Sequence, residues 1–433
     1  MIQQILDLHI HSKYSRACSK SLELPEIAKA CAIRGVNIVA TGDFTHPKWF
    51  EHIKDSLEEI GETGIFQLKT PTTPASGHPS SGRRGQTRFI IGTELSCIKK
   101  HKDKTRRIHV CVFAPNIAVA EKFNNKLGEL GFNLRSDGRP ILGLTVKDLL
   151  KIMLEVDKRM IMIPAHAWTP WFGIFGSKGG YNNLEEAFEE LTPNIFAIET
   201  GLSSDPLMNW RLSKLDKIAL VSNSDAHSLE KIGREANVLQ FGNQKEITYD
   251  NIFKIIKSQN KSKFLYTIEF FPEEGKYHYD GHRDCNFVCA PEETKRLKNI
   301  CPKCKRELVI GVMNRVIELA DRNEEEVLRL RSGQAFGIPF KSLVPLSEII
   351  ANAFNCGVNT KKVKEVYNKL IKKFGNEFNI LLNISIEEIA EASEKIIGLA
   401  IERVRSGKIY VKPGYDGEFG VVKVFSDEER VGK

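Results

Sequence analysis

Two short patterns in the chain set metal-competent side chains two residues apart: His9-x-His11 and Asp225-x-His227. In an extended segment, residues i and i+2 project to the same side, so each pair can grip one ion or bridge two neighbouring ones. Asp43, Glu94, His109, His166 and Glu199 add further imidazoles and carboxylates. That mixture suits Zn, Mn or Fe. A cluster of such ions lowers the pKa of a bound water towards ~7 and polarises a phosphoryl oxygen. Taken singly, each residue has a plainer explanation. His52, His78 and His101 read as solvent-exposed. His109 sits inside an apolar run and reads equally as a hydrogen-bonded core residue, and Glu199 as a carboxylate that orients a ligand. The set as a whole is harder to obtain by accident, because its members keep step with the strands.

Those strands are the β-branched runs at 5–8, 36–40, 88–92, 108–113, 160–163, 195–198 and 218–221. His9 and His11 follow the first, and Asp43 and His46 the second. Glu94 ends the third, His109 lies in the fourth, His166 ends the fifth and Glu199 the sixth. Asp225 and His227 follow the seventh. Amphipathic stretches lie between many of them, such as 25–33, closed by Gly35, and 146–156, which Thr145 can cap. Repeated β–α alternation predicts a parallel sheet, open or closed, and in α/β barrels the C-terminal strand ends are where functional residues collect.

With 433 residues and 41% hydrophobic content, the chain can build two or three cores. Its net charge of +8, with basic runs at 83–84, 99–107 and 295–305, suits an anionic partner such as nucleic acid. Each run read alone is solvated surface charge. The start of the chain shows no basic n-region or small-residue cleavage site, and no apolar run approaches the roughly 20 residues of a membrane span. Nine cysteines, most of them scattered, fit a reducing compartment, so the expected location is the cytoplasm, where a nucleic-acid partner would hold the protein at the nucleoid. One group departs from the scatter. Cys285-x3-Cys289, followed by Cys301-Pro302-Lys303-Cys304, has the spacing of a tetrahedral structural zinc site, with His282 or His278 as alternatives to Cys289. The Pro, Ser and Thr-rich stretch 70–85 reads as a mobile loop. Helical periodicity marks 349–354, 363–374 and 386–404, and two strand-like pieces flank Pro413-Gly414-Tyr415-Asp416-Gly417 in the tail. The expected organisation is a metallo-phosphoesterase barrel over 1–265, a zinc ribbon over 266–316 and a helical DNA-binding region over 317–433.

Asp7-Leu8-His9-Ile10-His11-Ser12, Thr41-Gly42-Asp43, Gly92-Thr93-Glu94, Pro164-Ala165-His166 and Ser224-Asp225-Ala226-His227 resemble, in order, the motifs of the PHP superfamily of phosphoesterases. The runs Tyr277-His278-Tyr279-Asp280-Gly281-His282-Arg283, Pro339-Phe340-Lys341-Ser342-Leu343-Val344-Pro345-Leu346 and Tyr415-Asp416-Gly417-Glu418-Phe419-Gly420 are similar to the endonuclease Q family within it. The resemblance implies a distorted (β/α)7 PHP barrel, then a small zinc ribbon and a mainly helical C-terminal domain. It implies two or three divalent metals in the barrel (Zn, Mn or Mg) held by His9, His11, Asp43, Glu94, His109, His166, Asp225 and His227, with structural Zn on Cys285, Cys289, Cys301 and Cys304. It further implies a DNA repair endonuclease that cuts 5′ to hypoxanthine, uracil, xanthine and abasic sites and leaves a 3′-hydroxyl and a 5′-phosphate. His11, Asp225 and His227 would serve the chemistry. Ser15-Arg16-Ala17 stands where many PHP members have Ser-Asp-Gly, and Phe44 where many have His, which leaves a third metal position short of ligands. Arg16 is then the expected phosphate holder.

A damaged base in a duplex must be flipped out to be read. Small hydroxyls and amides near the metals are expected to read the carbonyl that deamination creates: Ser12, Tyr14, Ser203, Ser204 and Asn223. Trp168, Trp171 and Phe172, after His166, are expected to stack on a base or wedge the gap. A sliding clamp or another repair factor is a possible protein partner. The competing readings are a small-molecule phosphatase of the histidinol-phosphate type, which leaves the cysteine cluster and the last hundred or so residues without a role, and a non-catalytic nucleic-acid-binding protein with a degraded barrel.

Overall fold

The computed structural model describes residues 1–69, 87–102, 104–332, 336–426 and 428–429. The stretch 70–85 expected as a mobile loop, with His78 and the Arg83-Arg84 pair, lies outside the described residues, as do 333–335 of the linker before Phe336.

Each expected barrel strand is present. They are Ile2–Asp7, Ile38–Ala40, Arg88–Ile90 continuing past Ile91 as Gly92–His101, Lys104–Phe113, Ile161–Pro164, Ala197–Glu199 and Ala219–Val221. Ile38–Ala40, Ala197–Glu199 and Ala219–Val221 are buried throughout, as unbroken apolar runs require. Parallel pairing links the first three strands (Leu6 with Ile38, Ile38 with Arg88) and the last two (Ala197 with Ala219). Ala167 N donates to Glu199 O at 2.9 Å, and His11 N to Ala226 O at 3.1 Å. This second bond brings the last strand back beside the first and closes the ring.

The barrel is not wholly parallel. Lys104–Phe113 runs antiparallel to both Gly92–His101 and Ile161–Pro164. Only residues 102 and 103 join the two long strands, far too few for the dozen or more that a parallel crossover needs. The sheet also extends outside the ring, through Ala236–Phe241 and Phe264–Glu269 to Phe340–Ser342, which pairs with Phe264–Glu269 in parallel. Phe264–Glu269 straddles the expected boundary at 265, so the sheet ties the barrel to chain that lies beyond the cysteine cluster.

Local signals act as expected at the helices. Leu24–Arg34 stops at Gly35, whose φ of 99° is left-handed. Thr145 and Asp148 form a reciprocal capping box at the start of Val146–Val156. The C-terminal helices are Val312–Leu319, Glu324–Ser332, Leu346–Phe354, Lys361–Phe374, Glu377–Leu382, Ile386–Ala392 and Lys395–Arg405. The periodicity at 386–404 belongs to two helices, because Ser393 breaks the run with φ −133° and ψ −105°. Arg34 pairs with buried Glu377, which also accepts from Tyr367 Oη at 2.8 Å, and this joins the helices to the barrel. Tyr410–Lys412 and Val421–Lys423 form the tail hairpin. Among the described residues, no helix is long and apolar enough to cross a membrane.

Candidate metal centre

The strand ends bring His9, His11, Glu94 and Asp225 together so that their ligand atoms all lie within 4.8 Å of one another. Glu94, His109 and His166 form a second such group, sharing Glu94. Glu94 is therefore the hub. Its Oε2 is 3.3 Å from His11 Nε2 and 3.6 Å from His9 Nε2, while Oε1 is 2.8 Å from His109 Nδ1 and 3.0 Å from His166 Nε2. Asp225 Oδ1 lies 3.1 Å from His11 Nε2 and 3.5 Å from His9 Nε2.

Outer carboxylates aim these rings. His9 Nδ1 faces both oxygens of Glu199 at 3.1 and 3.0 Å, and Glu199 also accepts from His166 N at 2.7 Å and Asn223 Nδ2 at 2.9 Å. Glu199 thus has the orienting position, a common arrangement behind a metal-binding imidazole. Asp43, Asp225 and His166 have left-handed backbones with φ of 45°, 47° and 30°. Non-glycine residues adopt this conformation at a cost of order 1 kcal/mol each, and such strain gathers at functional sites. Gly201 lets the following loop approach, since a Cβ there would meet that of His166 at 2.6 Å.

The donor set fits bound divalent cations. His9 Nε2 and His109 Nδ1 are buried with no hydrogen bond, although carboxylate oxygens lie nearby. Each faces a different oxygen of Glu94, one in each of the two ligand groups, and buried polar atoms are otherwise seldom left unpaired. Burial opposes a charge on Glu94, but its cationic surroundings, with the Arg139 guanidinium at 2.8 Å, hold its carboxyl well below the usual range. Burial pushes His109 down to about 4, which keeps its imidazole neutral and able to ligate.

Several expected roles change with the geometry. Asp43 is spent on positioning: Oδ1 meets His11 Nδ1 at 3.1 Å, and Oδ2 accepts from Ser12 N and Ser12 Oγ, both at 2.7 Å, and from Ser15 Oγ at 2.9 Å. Ser12 is occupied by that same bond. His227 stands at the margin, its ring 4.6 Å from that of His11 and its Nδ1 2.8 Å from Asp225 O. Arg16 points out of the site, 81% exposed and paired with Asp137 at 3.2 Å. The guanidinium that enters the cluster belongs to Arg139, whose Nη1 donates to Glu94 Oε2 at 2.8 Å. No spacing in the sequence marked Arg139, because it lies on a loop far from every motif.

The residues expected to read the base divide in the same way. Asn223 is used up by Leu8 N, Glu199 and Asn237, and Ser204 by Thr200 O and Asn209. Tyr14 stacks on His46 at 4.3 Å. Trp168 is fully buried and donates to Asn209 Oδ1 at 2.7 Å, so it anchors its loop and cannot stack on a substrate. Phe172 stacks on His109 at 4.2 Å. Half-buried Ser203 and Trp171, which is 47% exposed, stay open to solvent.

In the cysteine cluster, the four converging residues are His282, Cys285, Cys301 and Cys304. Cys289 is replaced by His282, because its Sγ turns towards Thr294 Oγ1 at 3.2 Å. The strand Asp280–His282 pairs with Phe287–Cys289, which puts His282 beside the cysteine turn, with Nδ1 3.9 Å from Cys304 Sγ. His278 is buried apart from the group and stacks on Tyr279.

Known proteins share this architecture. Residues 345–408 match the MJ0043 C-terminal domain family. MJ0043 of Methanocaldococcus jannaschii is 32% identical over 264 residues, 59% of this chain, and the chain spans only 31% of that protein's length. YqxK of Bacillus subtilis is 30% identical over 426 residues, 96% of this chain and 98% of YqxK. The crystal structure of the lesion-specific endonuclease PfuEndoQ from Pyrococcus furiosus matches with a TM-score of 0.81 and 28% identity, covering 100% of this chain and 99% of that one. A structure of endonuclease Q in complex with a 27-mer duplex carrying an abasic lesion at the active site matches with a TM-score of 0.81 and 29% identity, over 99% and 98%.

Proposed function

The chain is a metal-dependent hydrolase of the endonuclease Q family, and from that premise we propose that it is a DNA repair endonuclease cutting 5′ to deaminated bases and abasic sites. The observation that carries this reading is the buried, Glu94-centred cluster at the barrel rim, in a chain that matches an abasic-duplex complex along its whole length. His9, His11, Glu94 and Asp225 would hold one divalent cation, and His109 and His166 a second shared through Glu94. When bound, such ions supply a nucleophilic water and stabilise charge on the phosphate and the leaving oxygen. The protein's own part is to fix the ligands through Asp43 and Glu199. His227, at the open margin beside His11, would serve the same step, and cleavage on the 5′ side of the lesion would leave a 3′-hydroxyl and a 5′-phosphate.

We assign a structural zinc to His282, Cys285, Cys301 and Cys304, folding a segment too short to make its own core. The basic residues around it suit contact with the DNA backbone. Lesion reading falls to Ser203, Trp171 and backbone groups near the cluster, and the expected place of work is chromosomal DNA in the cytoplasm.

The test is a nicking assay on an end-labelled duplex with one deoxyinosine, beside its deoxyadenosine control, with Mg²⁺, Mn²⁺ and Zn²⁺ in turn. A single cut immediately 5′ of the inosine is expected. Absence of that cut under every metal, with phosphate released from a small phosphomonoester, would replace this reading with a phosphatase.

A further inference from the structure

We propose that Arg139 is a catalytic residue whose guanidinium holds a non-bridging oxygen of the scissile phosphate at the mouth of the metal cluster. This inference rests on the phosphodiesterase reading above and names a group of this chain that does part of its work.

Position is the first support. Arg139 Nη1 donates to Glu94 Oε2 at 2.8 Å, so it touches the carboxylate on which both ligand groups depend. Glu94 is fully buried while the Arg139 side chain is 25% exposed, which places the guanidinium on the solvent side of the hub, where a phosphate must arrive. Among the described residues, Glu94 is the only hydrogen-bond partner of this guanidinium. A guanidinium carries five N–H donors in a planar fork, and the unspent ones match two oxygens of a phosphate.

The loop bearing it is built to hold still. A Cβ on Gly138 would lie 2.3 Å from Asp43 Oδ2 and 2.4 Å from Ser15 Oγ, so only glycine lets the loop press against the residues that aim His11. Gly138 N donates to Tyr14 O at 3.0 Å. Asp137 Oδ1 accepts from Arg16 N at 3.2 Å and Arg139 N at 3.1 Å, lacing this loop to the one after His11. On the other side Ser96 N donates to Pro140 O at 3.2 Å, and Ile141 pairs with Ser96. Arg139 is thus fixed from both ends, as a group that stabilises transition-state charge without reorganising must be. Arg16, the other arginine near the motif, is turned outward to Asp137.

The alternative role is neutralisation of Glu94 alone, and binding measurements separate the two. Full-length protein loaded with Mn²⁺ would be titrated with inorganic phosphate as wild type, Arg139→Gln and Arg139→Lys, and bound Mn²⁺ would be measured for each. Arg139→Gln should keep its Mn²⁺, bind phosphate at least about tenfold more weakly, and nick inosine duplex on the order of 10²–10³-fold more slowly in single turnover. Arg139→Lys should recover part of the phosphate affinity, because it keeps the charge and loses the fork. With a phosphorothioate at the scissile position, wild type should discriminate between the two diastereomers, and Arg139→Gln should lose that discrimination. Unchanged phosphate affinity in Arg139→Gln, or loss of Mn²⁺ in step with loss of phosphate, overturns the assignment. If wild type fails to cut at inosine while its phosphate affinity still depends on Arg139, the lesion reading falls and the arginine assignment stands.

Discussion

Asp43 Oδ1 lies 3.1 Å from His11 Nδ1, and this bond turns the opposite nitrogen, Nε2, towards Asp225 and Glu94. The motif marks Asp43 as a ligand, and in this geometry its two oxygens meet His11, Ser12 and Ser15. Asp43→Asn should therefore lower metal affinity by about 10–100-fold without emptying the site, the usual effect of losing an outer-shell partner. His11→Ala and Asp225→Ala should abolish cutting and leave duplex binding largely intact. Metal titration monitored by elemental analysis, with a gel-shift on inosine duplex, would check the ranking. Equal loss in all three variants would show that Asp43 ligates directly.

Substitution in the ribbon should separate His282 from Cys289. Cys301→Ser and His282→Ala should lose the structural zinc and, with it, several kcal/mol of local stability, since about 10 kcal/mol or more of binding energy can reside in such a site. Cys289→Ser should keep one zinc, because its thiol lies against Thr294. Zinc content and the melting profile of each purified variant report the outcome, and loss of zinc in Cys289→Ser would restore the four-cysteine site.

Trp168 and Trp171 sit three residues apart and should behave oppositely. Trp168→Ala opens a cavity and removes the bond to Asn209, which should cost about 3–5 kcal/mol in denaturant unfolding. Trp171→Ala should stay within about 0.5 kcal/mol of wild type, since the side chain is largely exposed, and weaken binding to lesion duplex more than to undamaged duplex. Equal affinities for both duplexes would remove Trp171 from lesion reading.

Stability should also fall as pH rises through neutrality. Burial pushes Glu269 up from 4.5 to about 7, and burial with nearby Glu348 pushes Glu274 up from 4.5 to about 8. A carboxyl whose folded pKa exceeds its unfolded one favours the folded state while protonated. That contribution is complete below about pH 4.5 and is lost as pH climbs to about 7 and 8. Glu269→Gln should raise Tm at pH 8 relative to wild type and change it little at pH 5. A Tm difference that is the same at both pH values would show that Glu269 does not titrate in this window.

The sequence alone determined the parts governed by local geometry. Period-two spacing puts His9 with His11 on one side of an extended chain whatever surrounds them, and β-branched runs buried on both faces must pair as strands. Gly35 and Thr145 end and begin helices through their own backbone and hydroxyl chemistry. Tertiary structure decided what each side chain is free to do. Asp43 and Glu199 resemble ligands in a list of residues, and only their neighbours across the barrel show their oxygens spent on His11 and His9. His282 displaced Cys289 because strand pairing, not cysteine spacing, sets which atoms converge. Arg139 and Glu94 stand 45 positions apart and meet only once the barrel closes and Gly138 lets the loop down onto Asp43. Residue type and spacing limit the chemistry a chain can perform, but burial and long-range hydrogen bonding assign it to particular atoms.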